Sequence, residues 1–147
     1  MKITSENQVD YGSIISIVHD SRIASFIIDY SEKHVEILFE NYYEMMQCHF
    51  RFMGVVYNEI VALKPWGLGG DDIIDFAVES GDKCIGKIQS IMSISNPLPV
   101  REMQVKSMAN QLLLCDFLSA SGDTIKIICE SFDYDFVEIA TNKTPKI

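Results

Sequence analysis

The sequence predicts an α+β domain dominated by antiparallel strands, arranged as a sandwich or a curved sheet. Short segments in which apolar and polar residues alternate recur along the chain, a period typical of strands with one buried face. Turn-forming residues separate these segments, and a single stretch has a helical pattern. We expect about seven or eight short strands and one helix. One domain should span residues 1–147, because domains commonly run ~100–150 residues, and 141–147 should fray.

The clearest element is a β-hairpin over Leu112–Glu130. Its loop, Ala120-Ser121-Gly122, places glycine where a left-handed backbone is needed. Asp116 then lies opposite Lys126, a cross-strand pair that stabilises by roughly 0.2–1 kcal/mol. A slip by one residue would disrupt this charge pair and the apolar face together. On that face, Leu113, Cys115 and Phe117 are predicted to lie opposite Cys129, Ile127 and Ile125.

A second hairpin turns at Ser31–His34. Its apolar residues are Phe26, Ile28 and Tyr30 before the turn and Val35, Ile37 and Phe39 after it. Pairing Tyr30 with Val35, which also brings Phe26 opposite Phe39, would bury one face completely. The same register places Asp29 near Glu36 on the other face, where like charges repel.

The remaining elements are less sharply defined. Residues 71–79 fit both a strand and a helix, and we favour the strand because the neighbouring segments are strands. Residues 82–94 are the best helix candidate, packed on or beside the sheet. Gly54 is predicted to form a bulge between two strands. Further strands are predicted at 48–53, 55–63 and 132–136, the last as a final strand or an edge extension.

The net charge excludes several classes of partner. The chain has 21 acidic and 12 basic residues and a formal charge of −9, which disfavours binding to nucleic acid or to an anionic membrane. The same charge would steer a basic protein partner. No segment has the ~18–20 apolar residues that span a bilayer, and the N-terminus lacks an apolar signal run. We therefore expect a cytoplasmic protein.

The cysteines also favour a cytoplasmic protein. They are widely spaced and include no Cys-x-x-Cys pair, which disfavours a zinc site and favours reduced thiols. The predicted hairpin register places Cys115 diagonally from Cys129, so no disulfide is predicted there. The four are Cys48, Cys84, Cys115 and Cys129.

His19-Asp20 is the most suggestive pair for chemistry. Adjacent histidine and carboxylate side chains can ligate a metal or move a proton near neutral pH. A metal site needs further ligands, and the other histidines, His34 and His49, fall in a predicted turn and on the polar side of a strand. The alternative, which we favour, is a turn formed by Asp20 and Ser21 that leads into the first hairpin.

Two acidic clusters each have a structural explanation. Gly67–Asp72 lacks the lysine and the hydroxyl residue of a phosphate-binding loop. Asp71, Asp72 and Asp75 could bind a cation, but their spacing is not that of a calcium-binding loop. We therefore favour a structural loop around Trp66. Asp133 and Asp135 share one strand face and could serve acid–base chemistry. We favour a charged edge strand that resists aggregation. No cofactor or metal is predicted.

Aromatic residues near loops are the best candidates for binding. Tyr42, Tyr43 and Trp66 belong to the types favoured at protein interfaces. Aromatic residues are equally favoured where they cover the ends of a hydrophobic core. A binding role and a structural role therefore both stay open for these three residues.

Three segments carry a family resemblance. Val18–Phe26, leading into a hairpin, resembles the opening of small bacterial β-rich proteins, some of them immunity proteins of polymorphic toxin systems. The resemblance extends through Phe50–Val55 and Leu118–Ile125 and covers about half of the chain by pattern. It implies a role in binding a protein and assigns no catalytic residue.

The sequence thus favours a non-enzymatic protein-binding module, immunity-like in role, with an acidic surface and exposed aromatics. Its candidate binding residues are Tyr42, Tyr43, Trp66, His19 and Asp20. The alternative is a small metal-dependent hydrolase or ligand-binding domain that uses His19 and Asp20.

Overall fold

The computed structural model describes residues 2–4, 18–60, 73–81, 86–88, 90, 111–120, 122 and 124–139. The predicted fold class is confirmed, because these residues form two antiparallel sheets and a short helical segment. The strands number nine among the described residues, slightly more than expected. They are β1 (Lys2–Thr4), β2 (Arg22–Asp29), β3 (His34–Asn41), β4 (Met46–Met53), β5 (Tyr57–Ile60), β6 (Ile73–Ser80), β7 (Leu113–Ser119), β8 (Thr124–Cys129) and β9 (Ser131–Glu138).

The two sheets enclose one aromatic core. The five-stranded sheet has the order β1-β9-β4-β3-β2, and the four-stranded sheet has the order β5-β8-β7-β6. Phe50 lies at the centre of the core, with ring centroids 5.5 Å from both Phe39 and Phe117. Alternation along each strand produces this arrangement, because every second side chain faces the opposite sheet. The largest fully buried aromatic side chains are Phe39, Phe50, Phe52, Phe76, Phe117 and Phe132.

The β7–β8 hairpin has the predicted register. Asp116 is paired with Lys126, and the three predicted apolar pairs are present. Gly122 has a φ of +93°, and its N–H donates to the Ser119 carbonyl at 3.0 Å. The Lys126 ammonium, however, donates to Thr124 Oγ1 at 3.1 Å. Within the described residues, Asp116 Oδ1 is buried without a hydrogen-bond partner, and burial raises the pKa of this carboxyl.

The register of the β2–β3 hairpin was predicted wrongly by two residues. Val35 is paired with Ile28 rather than Tyr30, and Asp29 is paired with His34 rather than lying beside Glu36. The reason is the turn: Asp29 Oδ1 accepts hydrogen bonds from Ser31 N at 3.1 Å, Ser31 Oγ at 2.7 Å and Glu32 N at 3.2 Å. A carboxylate that caps the turn in this way lengthens it and shifts every pair.

The expected complete burial of one β2–β3 face is also wrong. Phe26 is 47% exposed and Tyr30 is 79% exposed, because β2 is the last strand of its sheet and Tyr30 lies beyond its end. The pairing of β2 with β3 also shifts between Ile23 and Ser25, at a bulge. A bulge increases local twist and bends the strand.

Gly54 does not form the predicted bulge within a ladder. It follows β4 with a φ of +63°, and the chain there passes from the five-stranded sheet to β5 in the four-stranded sheet. Its carbonyl and that of Met53 accept the Glu130 N–H, at 3.2 Å and 3.1 Å. The strand at 48–53 is confirmed within β4, whereas residues 61–63 of the next predicted strand lie outside the described residues.

The ambiguous segment at 71–79 is a strand from Ile73 onward, as favoured. Residues 86–88 and 90 are helical, as predicted for that part of 82–94. Ile88 is fully buried in a second cluster with Leu114 and Ile128, on the outer face of the four-stranded sheet. No helix in the described part of the chain is long and apolar enough to cross a membrane.

Candidate functional site

The turn between β3 and β4 carries the two candidate tyrosines. Asn41, which is buried, accepts hydrogen bonds at Oδ1 from the N–H groups of Tyr43 and Glu44, each at 3.0 Å. Met45 completes the turn with a φ of +52°. This segment, Tyr42–Met45, is called the tyrosine turn below. Its backbone is held from inside by one asparagine side chain, which restricts how the tyrosines can move.

The same asparagine joins the tyrosine turn to the His19-Asp20 pair. Asn41 Nδ2 donates to the His19 carbonyl at 3.0 Å. Asp20 has a φ of +67°, and its N–H donates to the carbonyl of Ile73 in the other sheet at 2.8 Å. Ser21 N and Oγ both donate to the Val18 carbonyl, so these residues form the turn that the sequence favoured.

A surface depression lies between these two turns. It has a volume of about 290 Å³ and is lined by Asp20, Arg22, Glu40, Tyr42 and Tyr43. Tyr42 is 57% exposed and Tyr43 is 79% exposed. The Tyr42 hydroxyl donates to Glu40 Oε2, and this hydrogen bond raises the pKa of the tyrosine. The structure therefore brings together three of the predicted site residues: Asp20, Tyr42 and Tyr43.

His19 contacts Asp20 but not the other histidines. His19 Nδ1 lies 3.0 Å from Asp20 Oδ2, and both side chains are about half exposed. His34 begins β3, seven residues before Asn41, which corresponds to roughly 23 Å along a strand. His49 Nε2 lies 2.9 Å from Glu36 Oε1 on the outer face of the five-stranded sheet. Among the described residues, no group of three metal-ligating side chains converges.

Two other predicted features lie outside the described residues. Trp66 is one, and the glycine-rich Gly67–Asp72 segment is the other. Asp75 is described: its Oδ1 accepts the Phe76 N–H at 2.9 Å, and the side chain is exposed on β6.

The predicted charged edge is wrong for Asp133, because β9 lies between β1 and β4 at that residue. Asp135 lies beyond the three residues of β9 that pair with β1. Arg51 on β4 lies between the two carboxylates, with Nε 2.6 Å from Asp133 Oδ1 and Nη2 2.5 Å from Asp135 Oδ2. The sequence did contain a signal, because Arg51 and the two aspartates lie on the polar sides of their strands. To predict the ion pairs from this pattern, one must know that β4 pairs with β9, and the spacing of residues in the sequence does not show that pairing.

The histidine beside Arg51 extends this network. Arg51 Nη1 lies 3.1 Å from His49 Nδ1, so a neutral His49 accepts there and donates from Nε2 to Glu36. The hydrogen bond to Asp135 raises the pKa of Arg51, and the same contact lowers the pKa of Asp135. Both aspartates therefore stabilise a guanidinium, which makes them poor candidates for acid–base chemistry.

The comparisons with known proteins give no family. No family model matches the chain, and no curated protein matches it. Among solved structures, it is similar to an uncharacterized protein from Neisseria gonorrhoeae, with 11% identity and a TM-score of 0.33. The match covers 92% of this chain and 97% of that chain. A likeness at this level bears on neither the fold nor the function.

Proposed function

We propose that this chain is a non-enzymatic protein-binding module, immunity-like in role, and that the tyrosine turn is its binding surface. The observation that carries the proposal is the exposure of Tyr42 and Tyr43 on a turn fixed by Asn41, beside the acidic depression. Tyrosine is among the residues enriched at interface hot spots, because it offers a large contact area with few rotatable bonds.

The chemistry of the depression favours a cationic side chain from the partner. The Asp20 and Glu40 carboxylates flank the tyrosine rings, so an arginine or lysine placed there would gain ion pairs and a cation–π contact. A net charge of −9 would also accelerate encounter with a basic protein. Arg22, on the same wall, would favour one orientation of the incoming group through repulsion.

An immunity-like role fits a surface of this kind. Blocking another protein requires a complementary surface and no catalytic group, and the described part of the depression contains no activated nucleophile. The described cysteines, Cys48, Cys115 and Cys129, are buried thiols, which suits the cytoplasmic location that we propose.

The test is affinity capture with the full chain as bait. Wild-type protein and a Tyr42→Ala/Tyr43→Ala variant are incubated with lysate of the source cells at about 0.1 M and about 1 M salt. The screening length falls from ~10 Å to ~3 Å over this range. We expect a basic protein that wild type captures at low salt, that high salt releases, and that the double variant does not capture. Capture that is equal for both baits would contradict the proposal.

A second candidate function retains one supporting observation. Asp20, whose Oδ2 lies 3.0 Å from His19 Nδ1, lines the depression, and a small metal-dependent hydrolase or ligand-binding domain would use this pair. Metal content discriminates between the two functions, and its measurement is given in the Discussion.

A further inference from the structure

Among the described residues, strand β2 is an edge strand whose central residues carry no charge. In the part of the chain that the structure describes, β2 pairs along one side only, with β3. Residues 23–28 read Ile-Ala-Ser-Phe-Ile-Ile and include no charge and no proline. Ala24, Ser25, Phe26 and Ile27 are all exposed, so side chains on both faces of the strand reach solvent.

Edges of this kind promote association unless they are protected. An open edge presents unpaired N–H and C=O groups, which charges, proline or short length normally guard. The other described edges have such protection: β1 has three residues, β5 has four, the eight-residue β6 carries Asp75 and Glu79, and the part of β9 beyond β1 carries Asp135 and Glu138. Strand β2 has eight residues and an uncharged centre, so its protection is limited to the bulge between Ile23 and Ser25.

We propose that β2 pairs antiparallel with β2 of a second copy of this chain, joining two five-stranded sheets into one continuous sheet. The charges at the strand ends select this partner and this direction. Arg22 begins β2 and Asp29 ends it, so an antiparallel self-pair places each arginine near the aspartate of the other copy. A parallel pair would instead place like charges side by side.

Two-fold symmetry also fixes which side chains of the two strands face each other. Around an axis near Phe26, the two Phe26 residues lie opposite each other, and Ile27 of each copy lies opposite Ser25 of the other. The interface is a strand pair of about six residues, which places the dimer among small, weak interfaces. Apart from Arg22, which also lines the depression, the assembly uses a different surface from the tyrosine turn, so it goes beyond the proposed function.

Sedimentation velocity of the full chain tests this proposal. Over roughly 1–500 µM, a range in which weak interfaces assemble, we expect the mass to rise from 16.7 kDa towards twice that value. Ile27→Lys places a lysine on each copy near the shared axis and should weaken the dimer at least about tenfold. Hydrogen exchange should show concentration-dependent protection in residues 22–29 and none in 73–80.

The matched control is Gln47→Lys. It adds the same charge to the outer face of the same sheet, on β4, which is paired on both sides by β3 and β9. This variant should dimerise within about twofold of wild type. Thermal unfolding verifies that both variants are folded. A wild-type chain that stays monomeric throughout, or an Ile27→Lys dimer as tight as the Gln47→Lys dimer, would overturn the proposal. Tyr43→Ala should leave the dimer unchanged, which separates this result from the test of the binding surface.

Discussion

Replacing Arg51 with methionine should destabilise the fold through a single buried acceptor. The substitution keeps an apolar side chain of similar length and removes the cation between Asp133 and Asp135. The Asp133 side chain is 26% exposed, and its buried Oδ1 forms an ion pair with Arg51, whose Nε lies 2.6 Å away outside hydrogen-bond geometry. In Arg51→Met that oxygen would face a second carboxylate without a compensating charge.

The expected loss is about 1–3 kcal/mol in the free energy of unfolding. Leaving a buried polar atom without its partner costs ~1–3 kcal/mol. The pair with Asp135 is more exposed and should add little, because solvent and salt screen it. A loss of this size is a substantial part of the ~5–15 kcal/mol that stabilises a typical domain.

Urea denaturation near pH 7 measures this loss, and a double-mutant cycle with Asp133→Asn tests its cause. In the Asp133→Asn background the cost of Arg51→Met should fall by at least about 1 kcal/mol, because an amide needs no counter-charge. Lys87→Met, which breaks an exposed ion pair with Glu79, is the control and should cost less than about 0.5 kcal/mol. A cost for Arg51→Met no larger than the control would refute the reasoning.

The pH dependence of the same variant follows from Asp135. Its pKa is lowered from 3.8 chiefly by the hydrogen bond from Arg51, so the associated stability is present above about pH 3.8. That stability is lost as the pH falls through the folded-state value. The difference between wild type and Arg51→Met should therefore shrink in acid. A difference that stays constant from neutral pH to about pH 3 would show that the exposed Arg51–Asp135 pair contributes nothing to it.

Three further predictions concern other parts of the molecule. Asp116→Asn should raise the free energy of unfolding, measured by urea denaturation at pH 7, by up to about 1 kcal/mol, since the carboxylate carries a buried oxygen without a hydrogen-bond partner among the described residues. Burial raises the pKa of Asp116 above 3.8, so ionisation of this carboxyl destabilises the fold as the pH rises through its folded-state pKa. The stability gained by Asp116→Asn should therefore vanish below about pH 3.8. Gly54→Ala should lower the thermal midpoint, since the +63° φ costs alanine ~1–2 kcal/mol and its Cβ would lie 2.7 Å from Glu130 Cδ. Elemental analysis should find no bound metal in purified wild type; stoichiometric metal that His19→Ala/Asp20→Ala loses would favour the hydrolase hypothesis.

The fold could be predicted where local and cross-strand signals agree. In the β7–β8 hairpin, Gly122 fixes the loop and both faces constrain the register, so every predicted pair is present. In the β2–β3 hairpin the apolar residues tolerate two registers, and the Asp29 cap on the turn selects the one that alternation did not indicate. A side chain that bonds to a neighbouring backbone leaves no signature in hydrophobic periodicity.

Strand order was the larger obstacle at the polar sites. The last position of β9 in the chain predicts an edge strand, yet β9 pairs with β4 along its whole length and with β1 at Ser131–Asp133. The tyrosines were found from residue type alone. Their closeness to Asp20 depends on the bond from Asn41 to the His19 carbonyl, which spans 22 residues of sequence. Contacts of that range follow from topology, which no single motif in this chain encodes.

The most direct test of the binding surface compares two equally exposed tyrosines. Tyr43 and Tyr30 are both 79% exposed, but Tyr43 lines the acidic depression and Tyr30 lies in the turn at the opposite end of β3. Titration calorimetry measures the affinity of Tyr43→Ala and Tyr30→Ala for the protein captured at low salt. We expect Tyr43→Ala to weaken binding at least about tenfold, as hot-spot truncations do, and Tyr30→Ala to stay within about twofold of wild type. Equal affinities for the two variants would contradict the assignment of the tyrosine turn as the binding surface.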